Sequence, residues 1–160
     1  MEERRARLPK GSLSETDQGK VLALETSFRR QLDLYHMESL DPKTVNLSRG
    51  NYEPEVAGLN LSADVSASDL IRMQWAYIFS LAETGRHFST NHPGLVMMDE
   101  PQQQSVQEKD FRAMLQYAKG LQNVQVIIAT SDESPSLPNF LATLGASRVH
   151  DIKGRVLQKL

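Results

Sequence analysis

The chain contains no cysteine, which excludes disulfides and thiolate metal sites and fits a cytosolic protein. No stretch approaches the roughly 18 consecutive apolar residues that a membrane span requires. The charged N-terminus also lacks the apolar core of a signal peptide. Neither sign of charge predominates: 18 Lys and Arg stand against 20 Asp and Glu, a formal net charge of −2. Nothing in the electrostatics argues for direct contact with nucleic acid or an anionic membrane. The four histidines, His36, His87, His92 and His150, are scattered without metal-ligand spacing.

What remains is an ordinary globular composition, 39% apolar and 24% charged over 160 residues. That length suits one domain with a real core. Residues 1–13 form a charged arm broken by Pro9-Lys10-Gly11. Ser14-Glu15-Thr16-Asp17 has capping-box spacing and opens an expected helix over 14–37, with Val21, Leu24, Phe28, Leu32 and Tyr35 on one stripe. This is an amphipathic helix or the foot of a coiled coil. Its length, short of three heptads, favours the simpler form. Asp41-Pro42 ends the segment.

A hairpin is expected over 44–61, with strands near 44–48 and 55–61 around Arg49-Gly50-Asn51. The run from 68 to 84 is apolar nearly all round and predicts a deeply buried helix closed by Thr84-Gly85. Ser105-Val106-Gln107-Glu108 is a second capping box, opening a helix with Phe111, Met114, Leu115 and Ala118 on one stripe and Gly120 as its stop. Gln125–Thr130 reads as another buried strand, so residues 95–130 form a βαβ unit. A short helix near 138–144, ended by Gly145, and a terminal hairpin around Lys153-Gly154 complete the chain.

The most informative residues are Asp99 and Glu100, at the end of the short apolar run Leu95-Val96-Met97-Met98 that Pro93-Gly94 introduces and Pro101 follows. Such a run predicts a strand buried on both faces. Its C-terminal end is where open α/β sheets place ligands. Two charges there escape desolvation only by facing a crevice, a metal or water. In nucleotide hydrolases one carboxylate of this kind holds hydrated Mg²⁺ and the next polarises the attacking water. Ser66-Ala67-Ser68-Asp69 stands just before the apolar helix. Ser66 and Asp69 have capping-box spacing, and the small residues at 67 and 68 leave the first amides accessible, a pattern that attracts phosphate or simply caps the helix.

The order of these segments resembles the C-terminal lobe of the ABC-type ATPase head of SMC-like and related DNA-repair ATPases. The resemblance covers about residues 14–152 and implies a partial P-loop NTPase fold: α/β, with a mainly parallel sheet, preceded by the first helix and the hairpin. It implies that Asp99 orders Mg²⁺ and that Glu100 positions the hydrolytic water. Ser66, Ala67 and Ser68 would face the γ-phosphate of an ATP held by the opposing subunit. Gln102 to Ser105 would be the D-loop, and Ser131 would occupy the switch position. The chain departs from the family pattern in four places. Ala67 and Ser68 replace the two signature glycines, Ser131 stands where histidine is common, and Gln102-Gln103-Gln104 is not the usual D-loop. No G-x-x-x-x-G-K-[ST] occurs, so the cradle for the β-phosphate is absent.

The expectation is therefore half of an ATPase head, cytoplasmic and inactive alone. It would use ATP and Mg²⁺ only with an N-terminal, P-loop-bearing lobe, dimerise through its heads, and meet DNA only through the parent assembly. Two rivals remain: a non-catalytic interaction module that keeps the lobe for docking, and a different metal-dependent phosphohydrolase using Asp99 and Glu100.

Overall fold

A computed structural model describes residues 13–61, 65–102, 106–131, 136–145 and 148–150. The N-terminal arm (residues 1–12), Gln103 to Ser105 and the expected terminal hairpin beyond 150 lie outside the described residues. The architecture is α/β. Helix α1 (Glu15–Leu34) leads through a single 3-10 turn at Pro42–Thr44 into a small antiparallel sheet of β1 (Asn46–Leu47), β2 (Pro54–Val56) and β3 (Leu59–Asn60). Helix α2 (Ala67–His87) follows, then β4 (Leu95–Asp99), α3 (Glu108–Gly120), β5 (Gln125–Ala129) and α4 (Leu137–Thr143). Strands β4 and β5 pair in parallel, with Leu95 opposite Gln125 and Asp99 opposite Ala129.

Helix α1 starts as its sequence dictates: the Ser14 side chain accepts a hydrogen bond from the Asp17 N–H. It stops three residues earlier than expected, and a Schellman motif explains why. The Met37 N–H bonds the Leu32 carbonyl at 3.0 Å and the His36 N–H bonds the Asp33 carbonyl at 3.1 Å. The left-handed residue that glycine usually supplies there is His36, at φ 54°. The expected strand over 55–61 is instead two strands, because Ala57 and Gly58 both take positive φ and make a two-residue hairpin turn.

Gly85 does not end α2, which continues to His87. The loop after the helix lies against Gly85 so closely that an added Cβ would come within 2.9 Å of the His92 Cβ. Helix α3 begins at Glu108 with Gln107 as a cap that makes no side-chain bond. Ser105, expected as the cap, is outside the described residues. The Glu108 side chain pairs with Arg112 at 2.5 Å and accepts from the Ser136 hydroxyl.

The core lies where α1, α2 and α3 meet. Phe28 and Leu32 of α1 and Tyr35 just after it are buried with Trp75, Ala76 and Phe79 of α2 and Phe111 and Met114 of α3. Their rings meet edge-on: Tyr35 and Trp75 at 5.8 Å between centroids, Phe79 and Tyr117 also at 5.8 Å. Polar groups inside this core are paired, the buried Thr84 hydroxyl of α2 excepted. The buried Gln31 donates to Ser27, Ser80 and Tyr117 and accepts from the Tyr35 hydroxyl. Buried Glu25 accepts from the Leu47 N–H at 3.0 Å, tying the small sheet to α1. Burial and the Glu83 carboxylate push the Tyr117 phenol up to about 12.

Two expectations about burial are corrected. Strand β4 is not buried on both faces: Met97 is 66% exposed and its neighbour Ile127 on β5 is 43% exposed, whereas Val96 is buried. The helices cover only the Val96 side, and no described element covers the other. Helix α2 is likewise open along one stripe, with Ile78 and Leu81 exposed. Its buried face also contains charge. Arg72 sits between Asp69, at 2.6 Å, and Asp110 of α3, at 2.5 Å, and all three are almost wholly buried.

Burial works against ionising Asp69, but hydrogen bonds from Ser39 and Arg72 outweigh it and hold the carboxyl below its usual range. Glu83 follows the same pattern, with Arg30, Ser27 and Tyr117 as its partners. Both carboxyls titrate lower in the folded state than in the unfolded chain. Their contribution is therefore present above the ordinary carboxylate range and is lost as pH falls through the folded values. Urea unfolding is expected to give constant stability from about pH 7 to 5 and a decline below about pH 4, with a shallower decline in Asp69→Asn. At pH 7, Arg72→Met is expected to lower stability by about 3–5 kcal/mol, because it strands two buried carboxylates. An unchanged urea midpoint would contradict that role for Arg72.

Candidate functional site

The Asp99-Glu100 pair stands where β4 leaves its sheet. Gly94, at φ 71°, turns the chain into the strand, and the Gln125 N–H bonds its carbonyl at 2.7 Å. At the other end the Glu100 N–H bonds the Ala129 carbonyl at 2.8 Å, so the parallel ladder runs one residue beyond Asp99. Glu100 itself adopts φ 45°, a left-handed conformation that few non-glycine residues take and that costs on the order of 1–3 kcal/mol. Pro101 is buried directly behind it.

On the neighbouring strand, Ser131 follows β5 by two residues. Its hydroxyl donates to the Glu100 carboxylate at 3.1 Å. Asp99 is exposed and Glu100 half-buried. Beside them opens a cleft of about 180 Å³, walled by Ile71, Gln74, Trp75 and Ile78 of α2 and by residues 97–101. The helix side of the cleft is mixed, Ile71, Trp75 and Ile78 with the amide of Gln74, and the two carboxylates lie on the strand side.

The N-terminus of α2 forms a second, separate element. The Ser66 hydroxyl accepts from the Asp69 N–H at 3.2 Å and lies 3.1 Å from the Ser68 hydroxyl. Ser66 and Ala67 are exposed. Helix geometry leaves the amides of Ala67 and Ser68 without an intrahelical partner, and the positive end of the helix dipole lies there. Ser66, Ala67 and Ser68 are not among the residues that wall the cleft beside Glu100. Asp99, Glu100 and Ser131 are thus brought together, whereas the three signature-like residues are not brought to them. Gln102 is half-buried just past the cleft.

Asp99 and Glu100 supply a small donor set. Among the described residues, no group of three or more His, Cys, Asp or Glu side chains could hold a metal. The pair fits Mg²⁺ only in the manner in which that ion is bound by one or two carboxylates with the rest of its shell from water and phosphate. It does not fit a metal cage made by the protein alone.

Sequence reasoning missed the cluster behind the α2 N-terminus. Asp69 read as the third position of a capping box, but its carboxylate turns instead to Arg72 and to the Ser39 N–H, at 2.7 Å. His36 approaches Asp110 at 2.8 Å. The available signal was Arg72, a lone cation in an otherwise apolar stretch, which implies a buried counter-charge. Its partner on α3 had no signature. Neither a protein-family model nor a curated protein matches the chain.

The strain at Glu100 is directly measurable. Glu100→Gly is expected to be more stable than Glu100→Ala by about 1 kcal/mol, because only glycine adopts positive φ without a steric penalty. Equal unfolding free energies for the two variants would show that the left-handed turn is not strained.

Proposed function

We propose that the chain is the C-terminal lobe of an SMC-like, ABC-type ATPase head, contributing Walker B and signature elements to ATP binding and hydrolysis by a larger assembly. The observation that supports this reading most is the meeting of Glu100 and Ser131. They extend from the C-terminal ends of adjacent parallel strands, the location where α/β sheets bind ligands, and a hydrogen bond joins them. A carboxylate that positions water beside a residue that senses the terminal phosphate requires such a juxtaposition.

In this reading Asp99 holds Mg²⁺, which supplies charge neutralisation between the nucleotide phosphates when bound. Glu100 accepts a proton from, and orients, the attacking water. Ser66 and the amides of Ala67 and Ser68 receive the γ-phosphate of a nucleotide held by the opposing subunit. The separation of that helix end from the Glu100 cleft agrees with work across two copies rather than within one. The partner is a lobe bearing the P-loop, and the open apolar face of the β4–β5 sheet supports such a partner. Any action on DNA belongs to the parent assembly. Among the described residues no helix is long and apolar enough to cross a membrane.

One observation favours a non-catalytic docking role instead: the Ser66 hydroxyl is already engaged as a helix cap. Substitution at the carboxylates separates the two readings. In the assembled head, Glu100→Gln is expected to slow hydrolysis by at least 10²-fold, the lower range for a general base, while ATP-driven dimerisation persists. Asp99→Asn is expected to weaken nucleotide binding. Hydrolysis at the parent rate by both variants would leave only the docking role.

A further inference from the structure

Gly19 of α1 lies beside the Phe88 ring at the end of α2, and Tyr35 lies beside Trp75, so the two helices run antiparallel. Between the N-terminal half of α1 and the last turns of α2 they leave a cavity of about 370 Å³. It is about twice the size of the 180 Å³ cleft beside Glu100 and shares no lining residue with it. Small-molecule sites occupy about 300–1,000 Å³. The sequence explains why the helices part here. Gly19 and Ala23, one turn apart on α1, contribute no more than a methyl group to the space, and Leu22 is left 59% exposed along the wall. That part of the cavity is apolar.

Arg30, Glu83 and Thr84 also line the cavity. The Glu83 carboxylate is fully engaged: it accepts from the Ser27 hydroxyl, from the Tyr117 hydroxyl at 2.7 Å, and from Arg30 Nη2 at 2.8 and 2.6 Å. Arg30 uses only Nη2 in these bonds, and its Nε and Nη1 make none among the described residues. Thr84 is only 7% exposed, and its hydroxyl has no partner among the described residues. A helical threonine commonly bonds the carbonyl one turn back. Thr84 does not, so its hydroxyl carries the cost of leaving water in full. The groups still free are therefore N–H and O–H donors.

We propose that this cavity binds a small amphipathic monocarboxylate, its head on the free N–H groups of Arg30 and the Thr84 hydroxyl and its apolar chain along Gly19, Leu22 and Ala23. Free donors call for an acceptor head, and a carboxylate on a guanidinium forms the stronger, charge-assisted bonds. One negative charge is the limit, because Glu83 already stands against the same guanidinium and repels a second anion in proportion to its charge. An oxygen that reaches Thr84 also relieves the unpaired hydroxyl. The site goes beyond the ATPase reading and does not depend on it, since none of its residues belongs to the nucleotide site proposed above.

The test is an amide NMR titration of the chain with hexanoate, and with 1-hexanol as its uncharged match. Hexanoate is expected to saturate with a Kd on the order of 1 mM, shifting amides within residues 19–30 and 80–88. Hexanol is expected to bind about tenfold more weakly, the factor of one hydrogen bond to a charged group. Arg30→Gln is expected to lower hexanoate to the affinity of hexanol. Thr84→Val, which keeps the shape, is expected to weaken hexanoate several-fold while the urea midpoint stays at or above the parent's, because the lost hydroxyl had no partner. Equal binding of hexanol and hexanoate overturns the carboxylate assignment. Shifts spread over the whole chain, or no saturation, overturn the site. Hexanoate binding unchanged in either variant overturns the placement of its head. The ATPase reading is tested separately, at Asp99 and Glu100.

Discussion

Arg72 holds three segments at one point: the first turn of α2 through Asp69, the start of α3 through Asp110, and, through those carboxylates, the chain leaving α1 at His36 to Ser39. One guanidinium against two buried carboxylates is not balanced by itself. The deficit is met by N–H groups of Glu38 and Ser39 and by the positive end of the α2 dipole, which favours an acidic residue in the first turn. A cluster that is costly to bury and fully paired adds less to net stability than to uniqueness of arrangement, because any other arrangement strands a charge. Around it the aromatic core of Tyr35, Trp75, Phe79 and Phe111 supplies the bulk of the apolar burial.

With the helices fixed by that cluster, the rest follows from what they cover. One face of the parallel pair packs on α2 and α3, and the other, with Met97 and Ile127, faces outward. Among the described residues the parallel pair is covered on one side, whereas parallel sheets are normally covered on both. The site sits on the rim of that sheet. Glu100 is held in a left-handed turn between the ladder bond to Ala129 and the buried Pro101, with its carboxylate against Ser131. Backbone strain at a charged strand end is where structure is given up for geometry.

Much of this was legible in the sequence wherever the signal was local. Ser14 and Ser66 announce two helix starts through cap spacing, Gly94 announces the turn into β4, and the stripe Leu24, Phe28, Leu32 marks the buried face of α1. What escaped was settled by tertiary context. Ala57-Gly58 lacks the asparagine or aspartate that usually marks a two-residue hairpin, so two strands read as one. His36 takes the left-handed position that glycine usually fills at a helix stop, and its side chain meets Asp110, a partner distant in sequence. Continuous hydrophobicity in β4 read as burial on both faces, since an unbroken apolar run carries no signal for which face is covered. At the site, Asp99, Glu100 and Ser131 were legible as strand-end residues, whereas the ring of Ser39, Asp69, Arg72 and Asp110 joins residues up to 71 apart and has no local signature.

The central claim is that this chain is the Walker B and signature half of an ATPase head, complete only with a P-loop half. The most direct measurement is Mg²⁺-dependent phosphate release from ATP as the purified chain is titrated into the P-loop-bearing lobe that this reading requires. No release is expected from the chain alone, none from the other lobe alone, and a rate that rises to saturation at one chain per lobe. Hydrolysis by the chain alone, or none at any ratio, would contradict it.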